Sequence, residues 1–220
     1  LEEMLTKRST GMPVQHILNE AWFYGRSFYI DKRALIPRFD TEALIEEALK
    51  YVDEKTELLD MCTGSGCILI TLVKETGANG TGTDISDEAL AVAELNAERL
   101  GAGCRLIKSD LFENVPGKYD VIVSNPPYIR TEVIEELQCE VRDFDPVSAL
   151  DGGEDGLMFY RRIIPEAGVR LNEGGHLLLE IGYDQSEAVS KLLMENGFNN
   201  IIVKYDLGNT PRVVSGAWGS

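Results

Sequence analysis

From residue 56 to the end of the chain, short runs rich in β-branched residues alternate with longer segments whose apolar residues recur at helical spacing. The pattern predicts strands at 57–61, 80–84, 104–108, 119–124, 175–181 and 200–205, with a last one near 212–218. Helices are expected at 66–76, 87–100, 156–172 and 184–196. Such alternation implies an α/β protein with a largely parallel sheet, covered by helices on both faces. With 220 residues, 44% of them hydrophobic, there is material for one good core and a small appendage.

The chain ahead of residue 56 is less regular. Residues 1–20 read as the end of a helix followed by a linker, with Gly11 and Pro13 as punctuation. Starting at Leu1 within a polar helical segment, the sequence reads as a fragment or a processed product. Residues 21–36, aromatic and β-branched around Gly25 and Asp31-Lys32, predict a β-hairpin. A helix then opens over Ile36 to Glu42, capped by Asp40 or Thr41, with Ala43, Leu44, Ile45, Ala48 and Leu49 as its apolar face. Residues 129–155 are polar and irregular, and a loop of that length is usually functional or mobile.

Composition narrows the function classes. The formal net charge of −16 argues against broad capture of nucleic acid, which needs a positive surface. It favours either a basic partner or simple solubility. No apolar run approaches the roughly 18–20 residues of a membrane span. No signal peptide is visible. Cys62, Cys67, Cys104 and Cys139 form no CxxC pair, so reduced thiols in a cytoplasm are expected. His16 and His176 lie far apart, and no zinc or other metal site is expected.

The chemistry concentrates at strand ends. The run Tyr119 to Val123 leads into Ser124-Asn125-Pro126-Pro127-Tyr128. Two prolines, without N–H groups and with fixed φ, take the chain out of the sheet stiff and extended. Carbonyls there lack ladder partners, an Asn amide stands beside them, and an aromatic ring follows. This arrangement can hold a planar NH2 group, with carbonyl acceptors for its two hydrogens and the ring against its face. Leu58 to Leu69 runs strand, glycine-rich turn, helix, including Asp60, Cys62, Thr63, Gly64, Ser65 and Gly66. Glycines let the backbone pass close to a ligand beside a helix N-terminus. A nicotinamide dinucleotide loop would want a third glycine where Leu69 stands. S-adenosylmethionine asks for an acid followed by alternate glycines, which Asp60, Gly64 and Gly66 supply, with Cys62 at the first glycine position. Asp84, ending the next strand, can accept from both ribose hydroxyls. Asp110 can accept from the adenine amino group, with Leu111 or Phe112 packing on the ring. One acid at a strand end is ordinarily a solvated carboxylate. Three on successive strands, followed by Asn-Pro-Pro-Tyr, point to a cofactor cleft.

With these motifs the sequence resembles the HemK/PrmC-type glutamine methyltransferases, over nearly all 220 residues. The likeness is carried by Leu35-Ile36-Pro37-Arg38-Phe39-Asp40-Thr41-Glu42, by Asp60 to Gly66 and by Ser124 to Ile129. Further parts are Asp145-Pro146, Ala149-Leu150, Gly152 to Leu157, Phe159-Tyr160-Arg161, Gly174 to Gly182 and Asp206 to Val214. Phe39 stands where the family pattern has proline. The resemblance implies a Rossmann-like seven-stranded, S-adenosylmethionine-dependent methyltransferase fold over residues 37–220, preceded by the hairpin at 21–36. Residues 1–20 would be the remnant of a helical domain that grips the substrate. The implied reaction is N5-methylation of the Gly-Gly-Gln glutamine of class 1 peptide chain release factors, yielding S-adenosylhomocysteine. Asn125, Pro126 and Tyr128 would be catalytic, and Asn125, Pro126, Pro127 and Tyr128 would bind the substrate. Cys62, Thr63, Gly64, Ser65, Gly66, Asp84, Asp110, Leu111 and Asn125 would hold the cofactor. A cytoplasmic monomer without direct nucleic-acid or membrane contact is expected. Alternatives are a ribosomal-protein glutamine as acceptor, an adenine amino group of DNA, a non-catalytic partner subunit and, weakest, a nicotinamide oxidoreductase.

Overall fold

The computed structural model describes residues 2–219. Its centre is a seven-stranded sheet in the order β5-β4-β3-β6-β7-β9-β8. The strands are β3 (Glu57–Met61), β4 (Asn79–Asp84), β5 (Cys104–Lys108), β6 (Tyr119–Ser124), β7 (Leu171–Glu180), β8 (Phe198–Tyr205) and β9 (Pro211–Trp218). The first five pair in parallel. Only β9 runs antiparallel, between β7 and β8. Crossovers are made by α4 (Cys67–Thr76), α5 (Asp87–Leu100), α7 (Met158–Arg170) and α8 (Ser186–Glu195). The α/β class and its parallel sheet are as the sequence pattern predicted.

Alternation along the strands sorts the core into two layers. Leu58, Val121, Val123, Leu178 and Val213 face one side, with Leu69, Ile70 and Leu72 of α4 and Leu44 and Ile45 of α3 (Glu42–Ala48). Leu59, Met61, Ile122, Leu177, Leu179 and Val214 face the other, with Ile163 and Ile164 of α7 and Val189 and Leu193 of α8. The chain leaves β3 toward β4 and β5, and leaves β6 toward β7. The order reverses between β3 and β6, which opens a crevice outside their carboxyl ends.

Several local expectations are corrected. The helix expected at the start of the chain is α1 (Glu2–Ser9), but the linker expected after it holds a short helix, α2 (Val14–Leu18). The hairpin is confined to β1 (Ala21–Phe23) and β2 (Arg26–Phe28). Tyr24 at φ 47 and Gly25 at φ 72 make its two-residue turn. Residues 29–36 pair with no strand, and at Tyr29 a side chain takes the backbone polar groups a strand partner would have bonded. Asn96 of α5 accepts from the Tyr29 N–H at 2.7 Å and donates to its carbonyl at 3.0 Å. Neither Asp40 nor Thr41 caps α3 through its side chain. A 3-10 turn at Phe39–Thr41 leads into the helix, and the Asp40 carboxylate pairs instead with Arg212 at 3.0 Å.

Helix α7 stops at Arg170, and β7 begins at Leu171, ahead of the predicted 175. A register shift between Tyr119 and Val121 accommodates the extra residues. Residues 129–155 carry 3-10 turns at Thr131–Glu136 and Val147–Ala149 and the short α6 (Cys139–Arg142). The segment is tied down by Arg38, whose guanidinium meets the buried Asp145 carboxylate at 2.5 Å. Burial outweighs that guanidinium and pushes Asp145 up to about 6.

Candidate active site

The first half of the site is the turn after β3. Cys62, Gly64 and Gly66 all take left-handed backbone, at φ 59, 54 and 79. For a non-glycine residue this costs about 1–2 kcal/mol, so Cys62 sits strained at the position where the pattern has glycine. The two glycines do different work. A Cβ on Gly66 would lie 2.9 Å from Ile70 Cδ1 and 3.2 Å from Ala93 Cβ, so its bareness lets α4 pack on α5. A Cβ on Gly64 would meet nothing within 4 Å, which leaves its backbone open to a ligand.

The acids of this region divide likewise. Asp60 is fully buried; it accepts from the Thr63 hydroxyl at 2.6 Å and the Leu69 N–H at 3.2 Å. It shapes the loop from beneath, with Oδ1 buried and unpartnered. Burial pushes its carboxyl up to about 7. Asp84 is only half-buried at the end of β4, and accepts from the N–H groups of Gly64 at 2.9 Å and Ser86 at 3.0 Å. Asp110, also half-buried, pairs with Arg162 at 2.8 Å. Leu111 is strained at φ 50 beside it, while Phe112 lies within the core, out of a ligand's reach. Burial also pushes the Cys67 thiol up to about 12 and the Cys62 thiol higher still, so both stay neutral.

The second half is the turn after β6. The Ser124 hydroxyl donates to the Met61 carbonyl at 2.7 Å, which ties the two strand ends together. Pro126 and Pro127 are buried, and Asn125 and Tyr128 half-buried. Nδ2 of Asn125 donates to the Thr41 hydroxyl at 3.4 Å. Among the described residues no donor reaches Asn125 Oδ1 or the Pro126 carbonyl. Two acceptors are thus left free on a rigid turn.

The turn is clamped from behind. Gln185 Nε2 donates to the Tyr128 carbonyl at 2.9 Å and the Gly156 carbonyl at 3.2 Å. Gly152 and Gly156 lie so close that a Cβ on either would come within 2.7 Å of the Tyr128 backbone. The Tyr128 hydroxyl donates to Oε1 of Glu180 at 3.3 Å. Glu180, at the end of β7, is pushed up to about 7 by burial, although Thr41, Arg212 and Tyr128 hold it down. Glu180, Gln185 and Arg212 received no role from the sequence, and Thr41 was expected only as a helix cap. The available signal was a lone acid closing the apolar run Leu177-Leu178-Leu179-Glu180.

The donor set suits S-adenosylmethionine. A strand-end carboxylate answers the ribose diol and the bare Gly64 backbone admits a close approach, while Leu111, at 7% exposure, is buried with the core. Among the described residues no cluster of His, Cys, Asp or Glu could hold a metal ion.

Comparison with known proteins bears on the family and the fold. The family described as methyltransferase small domain matches residues 38–140. A release factor glutamine methyltransferase of Geobacter sulfurreducens is 43% identical over 218 residues, covering 98% of this chain and 77% of its own length. A methyltransferase structure from Pyrococcus furiosus superposes with a TM-score of 0.69 at 19% identity, over 99% of this chain and 96% of that one. The T. thermophilus 16S rRNA N2 G1207 methyltransferase, solved with AdoMet and guanosine, gives 0.61 at 18% identity, over 90% and 49%. The two structures share the fold.

Proposed function

The chain belongs to the release factor glutamine methyltransferase family, and from that premise we propose how its residues divide the work. The reaction is N5-methylation of the Gly-Gly-Gln glutamine of class 1 release factors, with S-adenosylmethionine as donor. The observation that carries this reading is the pair of unspent acceptors, Asn125 Oδ1 and the Pro126 carbonyl, on a clamped turn beside the β3 loop.

Residues 62–66, Asp84, Asp110 and Leu111 hold the cofactor, which when bound supplies an electrophilic methyl on a sulfonium. An amide nitrogen is a poor nucleophile because its lone pair is delocalised into the carbonyl. The protein's main contribution is therefore placement. Asn125 Oδ1 and the Pro126 carbonyl accept the two amide hydrogens of the substrate. That fixes the direction of the nitrogen and favours positive charge developing on it. Pro127 keeps the turn stiff, and Tyr128, held through its hydroxyl by Glu180, packs on the amide plane. No general base is assigned, since the product nitrogen can lose its proton after transfer.

Residues 37–220 form the catalytic unit, and residues 1–20 contribute to gripping the factor. The enzyme acts as a cytoplasmic monomer. No helix among the described residues is long and apolar enough to cross a membrane.

The test is transfer of labelled methyl to a class 1 release factor, with the Gly-Gly-Gln glutamine changed to alanine as control. Label confined to the unchanged factor, located by mass spectrometry on that glutamine, is the expected result. Label on another residue, or on both factors alike, overturns the assignment.

A further inference from the structure

One of the buried side chains of α5 is polar. Ala89, Val92 and Ala93 face inward, and Asn96, 0% exposed, stands with them on the same helix face. A buried amide is costly unless its hydrogen bonds are made. Here three are made, and they join two separate pieces of chain. Nδ2 donates to the Ser65 carbonyl of the β3 loop at 2.9 Å and to the Tyr29 carbonyl at 3.0 Å. Oδ1 accepts from the Tyr29 N–H at 2.7 Å.

The bond to Ser65 fixes one peptide of the loop. The N–H of the Ser65–Gly66 peptide belongs to Gly66 and donates to the Thr63 carbonyl at 2.8 Å, so this peptide is held at both ends. Reversing it turns the chain about ψ of Ser65 and φ of Gly66, and glycine takes either sign of φ readily. Backbone sterics therefore leave the direction of the peptide open, and its two hydrogen bonds decide it. Reversed, the carbonyl would turn away from α5 and the Gly66 N–H away from Thr63, beside the open Gly64 backbone.

The bonds to Tyr29 tie the same amide to the segment that follows the hairpin. Ile30, Ala34 and Ile36 of that segment pack with Ala89 and Val92 of α5. Further along, Arg38 meets Asp145, and the Thr41 hydroxyl accepts from Asn125. A single amide thus stands between the cofactor loop and the stretch of chain that runs to the acceptor turn.

We propose that Asn96 is a positioning residue for the cofactor: it holds the Ser65–Gly66 peptide in the direction that receives S-adenosylmethionine, and makes that direction depend on the docking of residues 29–36. The proposal rests on the cofactor assignment above, not on the identity of the acceptor.

Asn96 bonds neither Asp84 nor the Asn-Pro-Pro-Tyr turn, so its loss falls on binding and spares the geometry of the occupied site. A loop that is receptive only about a tenth of the time binds about tenfold more weakly. Asn96→Ala should accordingly raise the Kd for S-adenosylhomocysteine about tenfold. In the release-factor assay the KM for S-adenosylmethionine should rise likewise, with kcat at saturating cofactor within about twofold of wild type. Asn96→Asp keeps an acceptor for the Tyr29 N–H but, when ionised, has no hydrogen for Ser65, and should weaken binding as much. Val92→Ala is the control. It opens a cavity on the same helix face under the same segment and lowers Tm, yet leaves all three bonds in place. Its Kd should be that of wild type.

A second readout needs no turnover. By linkage, a cofactor that requires the held loop strengthens the bonds that hold it. Exchange of the Tyr29 amide hydrogen should slow severalfold on saturation with S-adenosylhomocysteine, in wild type and Val92→Ala but not in Asn96→Asp. Wild-type affinity in both Asn96 variants, an equal rise of Kd in Val92→Ala, or a wild-type Tyr29 amide indifferent to the ligand overturns the proposal. Should neither Asn96 variant fold, the wild-type exchange decides. Wild-type protein that binds no S-adenosylhomocysteine would overturn the cofactor assignment and this proposal with it. Binding without methylation of the factor would refute only the assigned acceptor, and Kd and exchange would still decide the role of Asn96.

Discussion

Gly156→Ala should disable the Asn-Pro-Pro-Tyr turn without altering any residue in it. Gly156 sits at φ +74, and an added Cβ would lie 2.5 Å from the Tyr128 carbonyl oxygen and 2.6 Å from Gln185 Nε2. Those two atoms are hydrogen-bonded to each other at 2.9 Å, so the methyl wedges into the clamp. Left-handed backbone costs an alanine about 1–2 kcal/mol, and overpacking adds about 1–3 kcal/mol. Gly101 supplies the control, because it shares the left-handed backbone at φ +62 but has no atom within 4 Å of the built Cβ. At roughly 2–4 °C per kcal/mol for a chain of this size, Gly156→Ala should lower Tm by roughly 4–20 °C. Gly101→Ala, which carries only the backbone cost, should lower it by roughly 2–8 °C. The activities should separate more sharply. A displacement on the order of 1 Å at the acceptors can cost about a hundredfold in kcat, whereas Gly101→Ala should turn over like wild type once folded. Calorimetry and the methyl-transfer assay read the two effects. If both variants lost equal stability and neither lost kcat, the turn would not owe its rigidity to this clamp.

Asn125→Ala should lower turnover about a hundredfold or more while cofactor affinity, read by calorimetric titration, stays measurable. Near wild-type turnover in Asn125→Ala would refute the acceptor role, whereas Asn125→Asp keeps an acceptor and tests the effect of its charge. Asp84→Ala should weaken cofactor binding twice over, removing a ribose acceptor and freeing the Gly64 and Ser86 N–H groups; unchanged affinity would unseat that assignment. Stability should fall as pH rises from about 4 to about 7, because Asp60 and Glu180 have folded pKa values of about 7, above their unfolded values. A raised pKa gives stability that is complete below the unfolded value and lost as pH passes through the folded one. The depressed Asp31, at about 2, acts only in more acid solution. Tm of the cofactor-free protein should therefore be higher near pH 5 than near pH 8. Asp60→Asn should flatten the difference, and an unchanged slope would show that Asp60 does not titrate in this window.

The sheet was legible because short β-branched or apolar runs such as those of β3 and β6 lie between turn residues, and because α/β alternation leaves few ways to pair such strands. Where a side chain replaces a strand partner, the pattern misleads. Tyr29 and Ile30 have strand-like composition, yet the Tyr29 backbone is bonded by Asn96, 67 positions away. The start of β7 was hidden for a related reason, since Gly174-Gly175 reads as a boundary but lies inside the strand. At the site, the Asn125 turn and the glycine loop were legible because each is contiguous. The layer beneath them was not. Thr41 and Asn125 are 84 residues apart, and Tyr128 and Glu180 are 52 apart. Only the folded sheet brings them together.

That layer is stiff because of the one antiparallel strand. A parallel strand brings its last residue to the carboxyl end of the sheet, whereas β9 brings its first. Arg212 therefore enters beside the end of β7, where the Ile181 N–H donates to the Arg212 carbonyl at 2.9 Å and Glu180 pairs with Val213. From there its guanidinium reaches Asp40 at 3.0 Å and Asp206 at 3.2 Å. Asp40 precedes Thr41 in the 3-10 turn, so this contact fixes to the sheet the segment that carries the Asn125 partner. The same guanidinium offsets part of the burial of Glu180. By turning β9 round, the fold supplies it from a strand and sets the acceptor turn on a base as rigid as the sheet itself.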